Sequence, residues 1–250
     1  MTRLEIFGIE GLPEIVPGDD LAALIHAAAV SSGDPLVDGD VAVITSKIVS
    51  KAEGRAIELA DVEPSAFARS WGERWEKDPR VVEVVLQESK RVIRQIGPVL
   101  ITETHHGFCC ANSGVDQSSS GGHDRVLVLP VDPDASCRRV RKRFSELGVD
   151  VAVIMSDTFG RPWREGQTDV AIGVAGLQPL HSYIGQHDPH GHEFRVQELC
   201  VADELAAAAE LVKGNTSRVP VAVIRGHPWE PDDDATIAPV LRDSERDLFR

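Results

Sequence analysis

Residues 151–169 constrain this chain more than any other stretch. Val-Ala-Val-Ile-Met at 151–155 is a continuous apolar run rich in β-branched side chains, which predicts a buried strand. The run stops at Ser156, Asp157 and Thr158, and the chain beyond is polar and glycine-bearing, with two guanidiniums (Arg161, Arg164) and a second carboxylate (Glu165). Ligands of α/β sheets sit where such a strand releases its chain. Oxygen donors there suit a hard cation such as Mg²⁺ or Mn²⁺, and paired arginines suit phosphate or carboxylate. The blander reading of the same residues is a solvated loop with an ordinary surface aspartate.

Further buried strands are predicted at residues 3–7, 41–44, 126–129 and 220–224, and a hairpin at 92–96 and 99–102 split by Gly97-Pro98. Helices are predicted from a cap at Asp19 or Asp20 through Ala29, at 64–76, at 79–88, from Asp132-Pro133-Asp134 to Leu147 before Gly148, and at 202–212. Arg138, Arg139, Arg141, Lys142 and Arg143 form a basic face on the fourth of these, which either binds an acidic partner or, as the simpler reading, is solvated or paired within the protein. The pattern is α/β in class (mixed α+β), with a mixed sheet flanked by helices.

At 250 residues and 42% hydrophobic content the chain has ample core for one large or two small domains. No run is long enough to span a membrane and no secretory pattern opens the chain, so a cytoplasmic protein is expected. Cys109, Cys110, Cys137 and Cys200 lack zinc-ligand spacing, and a reduced state is the simple reading. The formal net charge of −14 argues against nucleic acid and anionic membranes. A polyanionic ligand therefore needs metal or clustered Lys/Arg to reverse the field locally.

Candidate sites emerge from that requirement. The loop Gly11-Leu12-Pro13-Glu14-Ile15 lets backbone approach a ligand, or is a plain turn. Thr45 to Lys51, with three hydroxyls and two lysines just after a strand, can cradle phosphate, although neither GxxxxGK[ST] nor GxGxxG occurs anywhere. Residues 103–124 form the longest irregular polar segment, in which Asp116 stands out as a lone acid. His181, His187, His190 and His192 suggest either zinc, without a matching template, or a polar β-hairpin tip. If the strands share a sheet, Ser46 and Lys51, Asp116, and Asp157 with Thr158 can converge, and the two aspartates can hold divalent metal against phosphate oxygens.

Read together, these motifs are more specific than any one of them. Gly11 to Ile15, Thr45 to Lys51 with Glu53-Gly54-Arg55, Ala111 to Asp116, Leu129 to Ser136, Ser156 to Arg164 with Gly166 to Asp169, and Val201 to Glu204 occur in one order through most of the chain. In them the sequence resembles the coenzyme F-420:L-glutamate ligase family, the F-420-0:gamma-glutamyl ligases. The resemblance implies a GTP-dependent ligase that joins L-glutamate to a deazaflavin coenzyme precursor, on a family-specific fold with two intertwined subdomains and a homodimeric assembly. It implies Mg²⁺ or Mn²⁺, two ions, with K⁺ as activator. Leu12, Pro13, Glu14, Ile15, Ser46, Lys51 and Ser119 would contact GTP, as would Lys213 and Gly214. Asp116, Asp157 and Thr158 would hold metal, with Arg161 and Arg164 beside Asp116 and Asp157 in catalysis. A single ligase domain over 1–250, without the nitroreductase-like module fused to some members, is expected. The rivals are a metal-dependent phosphohydrolase using the same carboxylates, a non-catalytic nucleotide- or deazaflavin-binding module, and an interaction protein with solvated acids.

Overall fold

The computed structural model describes residues 3–117 and 124–247. Strand β1 (Glu5–Gly8) leads to helix α1 (Leu21–Ser32), and β2 (Val41–Thr45) passes directly into the short helix α2 (Ser46–Ala52). Strand β3 (Ala56–Glu58) comes next, then helices α3 (Ala66–Trp75) and α4 (Pro79–Gln87) and strands β4 (Ser89–Ile96), β5 (Val99–Thr104) and β6 (Cys109–Ala111). Then come β7 (Arg125–Leu127), α5 (Pro133–Glu146), and the long pair β8 (Ala152–Arg161) and β9 (Arg164–Leu177). The chain closes with β10 (Leu180–Ser182), β11 (Glu198–Cys200), α6 (Val201–Lys213), β12 (Val221–Arg225) and β13 (Pro231–Asp232).

The mixed α/β class expected from the sequence is observed. Six strands form the main sheet in the order β1-β12-β2-β8-β9-β13. Within it β2 and β8 run parallel and every other neighbouring pair is antiparallel. The apolar halves of β2, β8, β9 and β12 are buried at every residue, because helices cover both faces. Helix α5 lies against β8 and β9, and α6 against β9, β12 and β1. Each buried Val, Leu or Ile there contributes on the order of 1.5–3 kcal/mol. At Gly173 the first residue of α5 comes so close that a Cβ would stand 2.7 Å from the Pro133 carbonyl carbon, so only glycine fits. Two smaller apolar clusters lie apart from the sheet. One gathers Trp71, Val82, Val85 and Leu100 around α3 and α4, and the other Leu59, Val84, Val126 and Val128.

Helix ends obey local chemistry. Asp20 accepts from Ala23 N and Asp132 from Ala135 N, each satisfying an amide that the first turn leaves open. The basic face of α5 is used within the chain: Arg139 pairs with Glu53, Arg141 with Asp150 and Asp233, and Arg143 with Asp20. Residues 181–193 make a polar excursion that contains a bridge between His187 and Glu193. Asp188 accepts there from the amides of His190 and His192. Among the described residues no His/Cys/Asp/Glu group has the arrangement of a metal site, and no helix is long and apolar enough to cross a membrane.

Two expectations need correction. The strand predicted to stop at Met155 continues to Arg161, because β9 supplies ladder partners beyond the core, pairing Asp157 with Val170 and Thr158 with Asp169. The chain turns only at Pro162 and Trp163, the latter at φ 58°. The segment 103–124 is likewise no single loop, since β5 runs to Thr104, β6 comes after it, and Asp116 exchanges backbone hydrogen bonds with Leu127. Among its described residues, Ser113 is held inside the protein by the hydroxyls of Thr102 and Ser89.

Candidate active site

The parallel pairing of β2 with β8 sets Thr45 opposite Ser156, so both strands deliver their polar ends at the same level. Ser46, the first residue of α2, donates from Oγ to Asp157 Oδ1 at 3.2 Å. Lys47, next in line, places Nζ 3.2 Å from Asp116 Oδ2. Ser46 thus meets Asp157, and Lys47 pairs with Asp116 while its charge also acts on Asp157. Asp116 reaches Lys47 through a left-handed turn at Asn112, Ser113 and Gly114 (φ 52°, 54° and 69°). A buried hydroxyl hub pins that turn: Ser113 Oγ meets Thr102 Oγ1 at 2.9 Å and Ser89 Oγ at 2.7 Å, and Ser113 N donates to Thr102 Oγ1.

Two aspartates of the β8–β9 hairpin differ sharply. Burial pushes the Asp157 carboxyl up to about 6; the Thr158 amide and Ser46 hydroxyl pull it down, Asp169 repels it, and Lys47 attracts it only weakly. Asp169 is also buried, but Lys213 and the hydroxyls of Thr158 and Ser156 hold its carboxyl below the ordinary range. Neighbouring residues of a strand face opposite sides, so Asp157 and Thr158 open onto different faces of the hairpin. Cys110 lies near Asp157, and burial together with that carboxylate pushes its thiol up to about 12, which removes it as a nucleophile.

Beside this cluster lies a cleft of about 310 Å³, lined by Leu12, Pro13, Glu14 and Ile15 from the loop after β1 and by Lys47 and Lys51 of α2. Thr158, Asp169, Lys213, Gly214 and Arg218 close its other side. Lys51 Nζ is 2.5 Å from Glu14 Oε1, and that contact holds the Glu14 carboxyl low. Lys47, Lys51 and Arg218 share this cleft with the acids Glu14, Asp169 and Glu210, and they are the cations that a polyanion there would meet.

Not every candidate is in that cleft. Asp116, Asp157 and Ser46 stand beside it, next to Lys47, which also lines it. Lys213 turns its ammonium into the protein, onto Ser156 Oγ and Asp169 Oδ2, both at 2.7 Å. Arg161 and Arg164 sit at the exposed hairpin tip, four residues and more beyond Asp157, and Arg161 donates to the carbonyls of Glu165 and Gly166. Ser119 lies outside the described residues. Sequence pattern does not single out Asp169, Arg218 or Glu210 (which also lines the cleft), and it names Lys47 only as one of the two lysines after β2. Only the register Thr158 to Asp169, invisible until the hairpin is known, points to Asp169.

The donors present fit a hard divalent cation. They are carboxylate and hydroxyl oxygens, and Asp157 is a half-buried acid short of positive charge. Asp116, Asp157 and the Ser46 hydroxyl would hold it, and the Thr158 hydroxyl opens onto the opposite face.

Comparison with known proteins decides the family. The family model described as F420-0:Gamma-glutamyl ligase matches residues 10–226. The chain belongs to the F420-0:gamma-glutamyl ligase family, and with it to the ligases. The coenzyme F420:L-glutamate ligase of Methanothermobacter thermautotrophicus is 44% identical over 250 residues, covering 99% of both chains. That of Methanopyrus kandleri is 44% identical over 262 residues and the full length of both, and that of Methanocaldococcus jannaschii 38% identical over 250 residues, 99% of this chain and 97% of its own. This gamma-glutamyl ligase family member thus matches its relatives from end to end, and the Leu12–Ile15 loop, α2, the β8–β9 hairpin and the end of α6 all fall within the matched region.

Proposed function

We propose that the protein is a GTP-dependent ligase that forms an amide between L-glutamate and the carboxylate of the deazaflavin coenzyme precursor. The observation that carries the reading is the cleft bearing Lys47, Lys51 and Arg218 beside Asp157, a half-buried carboxyl that the chain leaves short of counter-charge. Amide formation in water requires an activated acyl group. The precursor carboxylate oxygen attacks the γ-phosphorus and GDP leaves; the glutamate amine then attacks the acyl carbon and inorganic phosphate leaves. Both steps gather negative charge, which Lys47, Lys51 and Arg218 are placed to offset.

Lys51, released from Glu14, would bind GTP phosphates, and the Leu12–Ile15 backbone would flank the nucleotide with Gly214 opposite. A divalent ion at Asp116 and Asp157, Mg²⁺ or Mn²⁺, would neutralise phosphate charge, and a second would meet Thr158 on the other face. K⁺ is proposed as an activator. Arg161 and Arg164, at the tip of the hairpin that carries Asp157, would stabilise charge that develops during acyl transfer. A homodimer, measurable by light scattering, is part of the proposal.

The test is one reaction of the purified protein with GTP, Mn²⁺, K⁺, L-glutamate and the glutamate-free deazaflavin, monitored by mass spectrometry and phosphate release. A deazaflavin heavier by one or more glutamyl units, formed only with GTP, is expected. Phosphate release without glutamyl transfer would replace the ligase with a phosphohydrolase, and binding of all components without turnover would leave a binding module.

A further inference from the structure

Asp169 faces Thr158 across the hairpin and is saturated from inside the protein. Its Oδ1 accepts from Thr158 Oγ1 at 2.7 Å, and its Oδ2 accepts from Ser156 Oγ at 2.8 Å and Lys213 Nζ at 2.7 Å. Lys213 also donates to Ser156 Oγ at 2.7 Å. Ser156, Asp169 and Lys213 are 0%, 2% and 2% exposed, so water does not compete for these bonds. An ionised carboxylate only accepts and an ammonium only donates, which leaves each proton of this ring one place to go. Ser156 gives its proton to Asp169 and accepts one from Lys213. Thr158 gives its proton to Asp169. The Thr158 oxygen is left with lone pairs alone, at the wall of the cleft. In that state it cannot donate to a phosphate oxygen, and beside a triphosphate the partner it can take is a cation.

We propose that Asp169 is a positioning residue which, with Lys213 balancing its charge, fixes the Thr158 hydroxyl as an obligate acceptor and so makes it a cation ligand. This rests on the reading of the cleft as a metal–nucleotide site. The substitution Asp169→Asn reverses the polarity. Ser156 and Lys213 keep the amide oxygen on their side, the amide nitrogen donates to Thr158, and the Thr158 proton then points at the incoming cation.

The test is Mn²⁺ affinity of the full chain, read from the electron paramagnetic resonance of the free ion, with and without GTP. It is measured for wild type, Asp169→Asn, Thr158→Val and the double variant, with folding checked by circular dichroism. Each single substitution is expected to weaken Mn²⁺ binding about 10–100-fold, as loss of an outer-sphere partner does, and the double variant no further than the weaker single. A loss in the double equal to the product of the two singles overturns the proposal, because a merely structural role adds in that way. If Asp169→Asn strands Lys213 and fails to fold, Asp169→Leu with Lys213→Met leaves no buried charge alone and is expected to show the same loss. Wild-type Mn²⁺ affinity in the folded Asp169 variant, with Thr158→Val weakened, overturns the proposal alone. No Mn²⁺ binding by the wild type overturns the metal–nucleotide reading along with it.

Discussion

Asp157 and Asp169 lie on the two strands of one hairpin, and the protein treats them oppositely. Asp169 is given an ammonium and two hydroxyls at 2.7–2.8 Å, and its carboxyl is held low. Asp157 is given one hydroxyl at 3.2 Å and a backbone amide, and burial wins, pushing it to about 6. A buried carboxylate with all its partners supplied by the chain is part of the scaffold. One that the chain leaves short carries a standing electrostatic cost that a bound cation removes. In the proposed site the Asp157 carboxyl would be completed by a cation, whereas the chain itself completes Asp169.

The largest expected effect breaks the unfinished side. Asp157→Asn should lower kcat/KM for GTP-dependent ligation by about 10³-fold or more while leaving the protein folded; near-normal turnover would remove Asp157 from the site. Next comes the finished side. Lys213→Met should cost about 3–5 kcal/mol in urea unfolding, because it leaves Asp169 buried without its counter-charge; a loss below about 1 kcal/mol would mean that water reaches Asp169 in solution. Lys51→Ala should have the smallest effect of the three. GTP affinity should fall about tenfold with unchanged stability, since the Glu14 partner is 76% exposed. Unaltered nucleotide binding would show that Lys51 stays with Glu14.

Much of this arrangement is legible in the sequence, for reasons that can be named. The apolar runs of β2, β8 and β12 and the caps at Asp20 and Asp132 are local signals, and they set the sheet and two of its covering helices. The meeting of Ser46 with Asp157 is dictated once β2 and β8 are neighbours. The hairpin is harder to see, because Gly160, Pro162 and Gly166 interrupt residues 156–169 and read as loop. Lys213 at a helix end reads as a solvent-facing or nucleotide-facing lysine, and its true partner Asp169 is 44 residues away. In the segment around Ser113 polarity suggests solvent, whereas three hydroxyls from different elements bury one another there. In each case the missing information is long-range pairing, which one-dimensional pattern does not carry.

The contrast between the two aspartates is tested most directly by thermal unfolding of wild type and Asp157→Asn, each with and without Mn²⁺. The wild type should be stabilised as Mn²⁺ is added, by about 2.7 kcal/mol at a hundredfold excess over Kd. Metal-free Asp157→Asn should be at least as stable as metal-free wild type, since it removes an undercompensated half-buried charge, and should not respond to Mn²⁺. A metal-free Asp157→Asn clearly less stable than wild type, with its Mn²⁺ response intact, would contradict the account: Asp157 would then be a satisfied structural acid, and the cation would bind elsewhere.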